Sequence, residues 1–375
     1  NKLLKMMLFV GFGYILLYAF IVSNIIFYIQ GLVSYIVIKL TGKRIHYIEF
    51  HEESWFPVFI RRHAMIHLKG GWEMYGINKY IGGITPAQTL GKIMYDKIIK
   101  HYNDKETTIL LDMMSGASGP TYLLHDYVYK KLTKNIHSFV SDLTPQNKVW
   151  SNLVKLTENF GYVPISLDAT QVNKGLSIDN ESIKSVLNNN SEFALLLDYK
   201  QSDKSNKVLW IRSIFGSWHH LNEKQCIQVF YDAIKNNSAI IIAEKMLVRN
   251  TWTNIWKWPI INITAFPIQF LYNMYYIIFE DFEELTLLKF IKVLLIQPII
   301  WFVKCHDMIT SANRSYTKQE MFNMANKAYN LYKNECIKSN IKYNEYNWEY
   351  FMQPTLMPKP FCNIVKQTIF IGKPC

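Results

Sequence analysis

The sequence predicts an α/β protein: a mostly parallel sheet with helices on both faces, carried behind an apolar N-terminal helix. Three observations predict it. From about Thr107 short apolar runs alternate with amphipathic stretches, the pattern of strands feeding helices in a parallel sheet. Three of these runs, taken in order, end on Asp112, Asp142 and Asp168, at the carboxyl ends of strands where ligands of such sheets bind. Met6 to Ile38 carries no charged residue, and a helix needs only about 20 apolar residues to cross a hydrocarbon core.

Residues 1–44 are read as a membrane anchor. A cleaved signal peptide has a shorter apolar core and a small-residue cleavage site, and neither is evident. Lys39, Lys43 and Arg44 follow the apolar segment, against Lys2 and Lys5 before it, so the positive-inside rule places the body of the chain in the cytosol. Residues 45–106 form a helical extension. Within it Thr85-Pro86-Ala87-Gln88 opens a helix: Thr accepts at the N-cap, Pro suits the first helical position and Gln completes a capping box.

The core spans 107–246, with candidate strands Ile109–Asp112, Ser138–Asp142, Val163–Asp168, Val208–Ile214 and Ala239–Glu244. Ser191–Tyr199 reads either as a further strand or as a helix end. A second apolar block, Trp258–Phe302, then interrupts the pattern. Pro259, Pro267 and Pro298 punctuate it, and Glu280, Asp281, Glu283 and Glu284 break it. Residues 247–305 are therefore expected to form an apolar helical insertion or lid in contact with the membrane, in preference to full spans or ordinary core. In 306–375, Thr317-Lys318-Gln319-Glu320 is another capping box, opening a helix to about Cys336, and Tyr343–Phe351 and Cys362–Gly372 read as strands closing the sheet.

The net charge is +12 over 375 residues. Membrane surface and nucleic acid are the usual partners of a basic chain. No Lys/Arg block or nucleic-acid module accompanies the charge, so nucleic acid is not expected as a partner. Cys226, Cys305, Cys336, Cys362 and Cys375 are odd in number and form no CxxC pair, which argues against a disulfide framework and a structural zinc site. His46, His51, His63 and His67 show no metal-ligand spacing and are read as structural.

The stretch Leu110-Leu111-Asp112-Met113-Met114-Ser115-Gly116-Ala117-Ser118-Gly119-Pro120 carries the most chemistry. It is an apolar strand, an acid at its end, a turn of small residues, and then a helix start. Small residues let backbone approach a nucleotide-like ligand. In a GxGxxG frame for NAD the first glycine would fall on Met114, and a pyrophosphate does not tolerate the acid at Asp112. A cationic sulfonium and an ammonium do, which favours S-adenosylmethionine (SAM). Ser115, Gly116, Ser118 and Gly119 would line its path. Asp142 is placed to bridge two ribose hydroxyls, and Asp168-Ala169 to meet the adenine amino group.

Together with Asp142-Leu143-Thr144-Pro145, Tyr162-Val163-Pro164, Leu167-Asp168-Ala169 and Trp218-His219-His220-Leu221, the segment Leu111–Thr121 resembles the class I SAM-dependent methyltransferases. More narrowly, the chain is similar to a group of fungal and other eukaryotic methyltransferase-like proteins. That group shares a Trp-Phe-Pro element, here Trp55-Phe56-Pro57, and an Asp-x-x-x-Ser-x-x-Arg segment, here Asp307, Ser311 and Arg314. The resemblance covers about residues 45–375. It implies a Rossmann-like seven-stranded sheet with a final antiparallel strand. Met114 and Ser118 depart from the family's loop, where glycines are usual.

The sulfonium is already activated, so alignment supplies much of the catalysis. A base is needed only where the acceptor must lose a proton. His219 and His220 are the candidates, each with core packing as its alternative. Asp307, beside His306, is a further candidate or else the ion-pair partner of Arg314. The chain is expected to be a membrane-anchored methyltransferase acting on a lipophilic small molecule or lipid. A non-catalytic binding or scaffold protein at a membrane is the alternative.

Overall fold

The computed structural model describes residues 2–53, 55–58, 60–61, 72, 85–102, 104–177, 182–184, 191–201, 207–246, 299–300, 302–303, 306–307, 309–354 and 366–375. The chain divides into two compact units: residues 1–67 with 247–315, and residues 68–246 with 316–375. The predicted apolar block lies outside the described residues up to position 298.

In the first unit, helix α1 (Lys2–Thr41) is continuous through the predicted anchor. Among the described residues it is the one helix long and apolar enough to cross a membrane, over Ile21–Thr41. Ile25, Ile29, Val33 and Ile36 are exposed on it. Ser34 is buried instead, donating to Gln30 O at 2.7 Å and accepting from Asn313 Nδ2 at 3.1 Å.

The second unit is built on a seven-stranded sheet in the order β3-β2-β1-β4-β5-β7-β6. Its strands are β1 (Thr107–Asp112), β2 (Ile136–Val140), β3 (Phe160–Tyr162), β4 (Val208–Phe215), β5 (Ala239–Met246), β6 (Tyr346–Pro354) and β7 (Lys366–Pro374). The first five pair in parallel, while β7 runs antiparallel between β5 and β6. Side chains alternate in direction along a strand, and here the alternation separates two cores. Ile109, Leu111, Ile240, Ile242 and Phe370 enter one; Leu110, Ile211, Ile241, Ile369 and Ile371 enter the other.

Helices cover both faces because their apolar residues recur at i, i+3, i+4 and i+7. On one face α2 (Pro86–Lys97) buries Ala87, Leu90, Gly91 and Met94, and α3 (Thr121–Lys131) buries Thr121, Leu124, His125 and Val128. Between these, a Cβ on Gly91 would lie 3.1 Å from Leu124 O, so glycine lets α2 and α3 approach closely. The short α4 (Asn147–Val154) packs Trp150 and Leu153 beside Val140 and Phe160. On the opposite face lie α5 (Ser191–Gln201), α6 (Glu223–Lys235) and α7 (Lys318–Lys338). The segment left open as strand or helix is thus helical. Both expected capping boxes form, at Thr85/Gln88 and Thr317/Glu320, and a third, Asn222/Gln225, opens α6.

One strand falls elsewhere than expected. Val163–Asp168 contains Pro164, which has no N–H to donate to a ladder. The ladder uses Phe160, Gly161 and Tyr162 instead, opposite Ser138, Phe139 and Val140. Gly161 is needed there, since a Cβ would sit 2.7 Å from the Phe139 ring.

His125 shows how tightly α3 sits on the sheet. Its ring is fully buried between Ser138 Oγ (2.8 Å) and Glu158 O (2.9 Å). Burial depresses its pKa from 6.5 to about 4, so the folded protein holds it neutral. Between those values the unfolded chain binds the extra proton. Its stability contribution is therefore complete above about pH 6.5 and lost as the pH falls toward 4, on the order of 3 kcal/mol in all. Denaturant titrations of wild type and His125→Gln across that window should diverge at high pH and converge toward pH 4.

Candidate functional site

The sheet reverses its order of growth at β1, with β2 on one side and β4 on the other. Such a switch point opens a crevice at the carboxyl ends of the strands. Hydrogen bonds lace the loops there together. Met113 N donates to Ser213 O (2.9 Å), and Ser141 donates to Asp112 O through its N–H (2.8 Å) and its hydroxyl (2.9 Å). Ser115 returns two bonds of 3.0 Å to Ser141 O. The chain then turns through three left-handed positions, Gly116 (φ 51°), Ser118 (φ 79°) and Gly119 (φ 39°), before α3 begins.

Ser118 is the exceptional one. A residue with a Cβ pays roughly 1–2 kcal/mol to adopt this conformation, and its side chain gains nothing back, because its buried hydroxyl has no hydrogen-bond partner among the described residues. Met114 leans its half-buried side chain on the core that holds Ile109 and Leu111.

Asp112 is completely buried. Its Oδ2 accepts from the Thr121 hydroxyl at the first turn of α3, and its Oδ1 has no partner among the described residues. Burial pushes its pKa up to about 8, the nearby Asp142 charge adds to that, and the Thr121 hydroxyl pulls the other way. Perturbed carboxyl groups of this kind concentrate where a charged ligand is handled.

Asp142 stands two residues past β2. Its Oδ2 accepts from Gly116 N and its Oδ1 from Thr144 N, each at 2.9 Å. It therefore fastens the turn after β1 to the end of β2, and burial raises its pKa against the opposing pull of those N–H groups and of His220. A carboxylate has about four lone-pair sites, so two accepted bonds leave capacity for hydroxyl donors. Asp168 is not at a strand end. It lies six residues beyond Tyr162, is exposed, and accepts from Thr170 N (2.8 Å) and Thr170 Oγ1 (2.7 Å), as a turn residue does. Leu167 N donates to Asp142 O at 3.1 Å, which keeps the Asp168–Ala169 turn beside β2, with Ala169 buried.

The third part of the edge follows β4. Gly216 (φ 71°) turns the chain while its N–H still reaches Ala243 O at 2.8 Å, and Ser217 Oγ donates to Met114 O at 3.3 Å. A single 3₁₀ turn, Trp218–His220, comes next. Its open N–H groups are met by Glu244 near the end of β5: Oε1 accepts from Trp218 N (2.6 Å) and His219 N (3.3 Å). Glu244 Oε2 lies 3.1 Å from His219 Nδ1. The rings of His219 and His220 are 4.1 Å apart. The sequence singles out both histidines but not Glu244, whose only signal is an acid closing an apolar run 25 residues later.

Asp307, the other catalytic candidate, belongs to the first unit. Its Oδ1 accepts from Phe50 N (3.0 Å) and sits 3.2 Å from His306 Nδ1. Arg314 donates to Glu52 Oε2 (2.8 Å) and to Tyr47 O (3.0 Å from Nε), with the buried Glu49 at 3.5 Å. Ser311 Oγ reaches Glu49 Oε1 at 2.9 Å. All three residues of the Asp-x-x-x-Ser-x-x-Arg segment thus hold the stretch Tyr47–Glu52. His63 and His67 lie outside the described residues.

No family model matches the chain, and no curated protein matches it. A solved structure described as a Zn-dependent alcohol dehydrogenase from Rhodobacter sphaeroides is similar at 8% identity and a TM-score of 0.37, covering 84% of this chain and 98% of that one. A likeness of that depth has no bearing on activity.

Proposed function

We propose that this chain is a membrane-anchored, Rossmann-like SAM-dependent methyltransferase that acts on a lipophilic small molecule or lipid. The observation that carries the reading is a pair of buried oxygens at one turn, Asp112 Oδ1 and Ser118 Oγ, that have no hydrogen-bond partner among the described residues. Leaving such groups unsatisfied costs about 1–3 kcal/mol each, and acceptors in a crevice of this kind suit the ammonium and hydroxyl groups of SAM. The left-handed turn at Gly116–Gly119 leaves backbone exposed to close approach. Asp142 supplies charged lone pairs for ribose hydroxyls. The antiparallel β7 agrees with the sheet implied by the resemblance to class I methyltransferases.

SAM supplies an activated methyl group when bound. The chain's own residues would orient it and exclude water, with Asp112 facing the cationic end. Asp168 contributes less than its sequence position promised, because its Oδ1 is engaged by Thr170. The exposed isoleucines of α1 and the charge-free length of that helix support anchoring in a bilayer, where an apolar acceptor would be dissolved.

Calorimetric titration of the full chain in lipid nanodiscs with SAM tests the reading. Saturable binding is expected, and Asp142→Asn should weaken it about ten- to a hundredfold through loss of charged hydrogen bonds. No binding at millimolar SAM would overturn it.

A further inference from the structure

We infer that Glu244 is a positioning residue that locks His219 in one tautomer, making its Nε2 the base for an acceptor bearing an acidic hydroxyl. The inference rests on the methyltransferase reading for its reaction and on the geometry around Glu244 for its chemistry.

An ionised carboxylate can only accept hydrogen bonds. With Oε2 at 3.1 Å from His219 Nδ1, the ring proton belongs on Nδ1, and the lone pair is left on Nε2. Glu244 also fixes where the ring stands, since Oε1 holds the backbone N–H groups of Trp218 and of His219 itself. Backbone and ring are thus anchored to one side chain. Ser217 ties the same turn to Met114 O in the loop after β1. His220, whose ring lies tilted at 4.1 Å from that of His219, acts electrostatically on Asp142. The pair therefore lies on the same edge of the sheet as Asp112 and Asp142.

An imidazole is a competent base only for a proton that is already fairly acidic. A neutral amine attacks with its own lone pair and loses its proton afterwards, so it has no use for such a base. A phenolic or enolic hydroxyl does, because its oxygen becomes a good nucleophile only as the proton leaves. In the step, His219 Nε2 takes the hydroxyl proton while the oxygen pair forms the bond to the methyl carbon. The carbon–sulfur pair stays on sulfur, which becomes a neutral thioether, and the proton then passes from His219 to water. The substrate class is an apolar molecule carrying a phenolic or enolic hydroxyl.

Glu244→Gln separates positioning from structure. The amide oxygen can still accept from Trp218 N and His219 N, so the turn keeps its cap. Its NH₂ now faces Nδ1 and donates, which moves the ring proton to Nε2 and removes the base. Two-bond ¹H–¹⁵N spectra of ring-labelled full chain in nanodiscs, with His219→Gln assigning the signal, should show the Nδ1–H tautomer in wild type and the Nε2–H tautomer in Glu244→Gln. Transfer of labelled methyl from SAM to 4-dodecylphenol should form the methyl ether in wild type. It should slow about 10²–10⁴-fold in Glu244→Gln, with calorimetric SAM affinity unchanged.

An Nε2–H tautomer in wild type overturns the inference. So does SAM binding without ether formation, or an unimpaired rate in Glu244→Gln. Failure to bind SAM at all overturns the methyltransferase reading instead, and the spectra still decide whether Glu244 sets the tautomer.

Discussion

Arg212→Met is expected to destabilise the protein by about 3–5 kcal/mol, the usual consequence of leaving one member of a buried ion pair alone. Arg212 lies on β4, facing α6, where its guanidinium donates to Asp232; the two side chains are only 5% and 14% exposed. Arg212 points into the core that also receives Ile214 from the same strand and Val229 and Phe230 from α6. Methionine fills that volume but leaves the Asp232 carboxylate without its partner. For a chain of 375 residues the loss corresponds to a melting point lower by about 5 °C.

The double variant Arg212→Met/Asp232→Leu should recover most of the loss, because no buried charge is then left unpaired. Thermal melts of the two variants check this directly. A single variant melting within about 1 °C of wild type would show that the pair contributes little. The expectation bears on function as well as on stability. α6 begins at Glu223, three residues after the Trp218–His220 turn, so a helix that loosens on β4 also releases the turn that carries His219.

The second large effect is a proton linkage at Asp112. With its pKa raised to about 8 by burial, the carboxyl of the empty protein is largely protonated at neutral pH. A cationic ligand beside it favours the ionised form, so binding releases a proton. Affinity for SAM should then rise about tenfold per pH unit from pH 6 toward pH 8 and level off above. SAM's own ammonium titrates near that range. The ratio of wild-type to Asp112→Asn affinities removes it from the comparison.

That ratio should be near one at pH 6, where the amide mimics the protonated acid, and about a hundredfold at pH 8. A flat ratio across the range would exclude Asp112 from the site. The linkage has a stability counterpart of opposite sense. A carboxyl whose folded pKa is raised loses stability as the pH climbs from its unfolded value toward about 8. Asp112→Asn should therefore raise the melting point of the ligand-free protein at pH 8 and leave it unchanged near pH 4.

Wherever local chemistry decides the outcome, the sequence was sufficient. Capping boxes at Thr85 and Thr317 depend on residues three positions apart. The strands near Asp112, Val208 and Ala239 are carried by the continuous apolar runs Ile109–Leu111, Val208–Ile211 and Ala239–Ala243, as buried parallel strands require. The acid that ends β1, the small-residue turn after it and the paired histidines after β4 all stand where their local pattern placed them. Val163–Asp168 is decided locally too: Pro164 cannot join a ladder, and that outweighs the apolar content of the segment.

What only the tertiary structure decided are partnerships across the chain. Asp307 and Arg314, seven residues apart, look like an ion pair in sequence, yet each is used on the Tyr47–Glu52 stretch more than 250 residues away. Asp168 at a presumed strand end became an exposed turn residue once β3 ended at Tyr162. Glu244 became the anchor of the Trp218–His220 turn because β4 and β5 are neighbours in parallel, which brings the ends of both strands to one edge. No spacing rule in the sequence encodes that adjacency. It arises from packing the whole sheet, as do the burial that lifts the Asp112 pKa and the burial of the Ser118 hydroxyl.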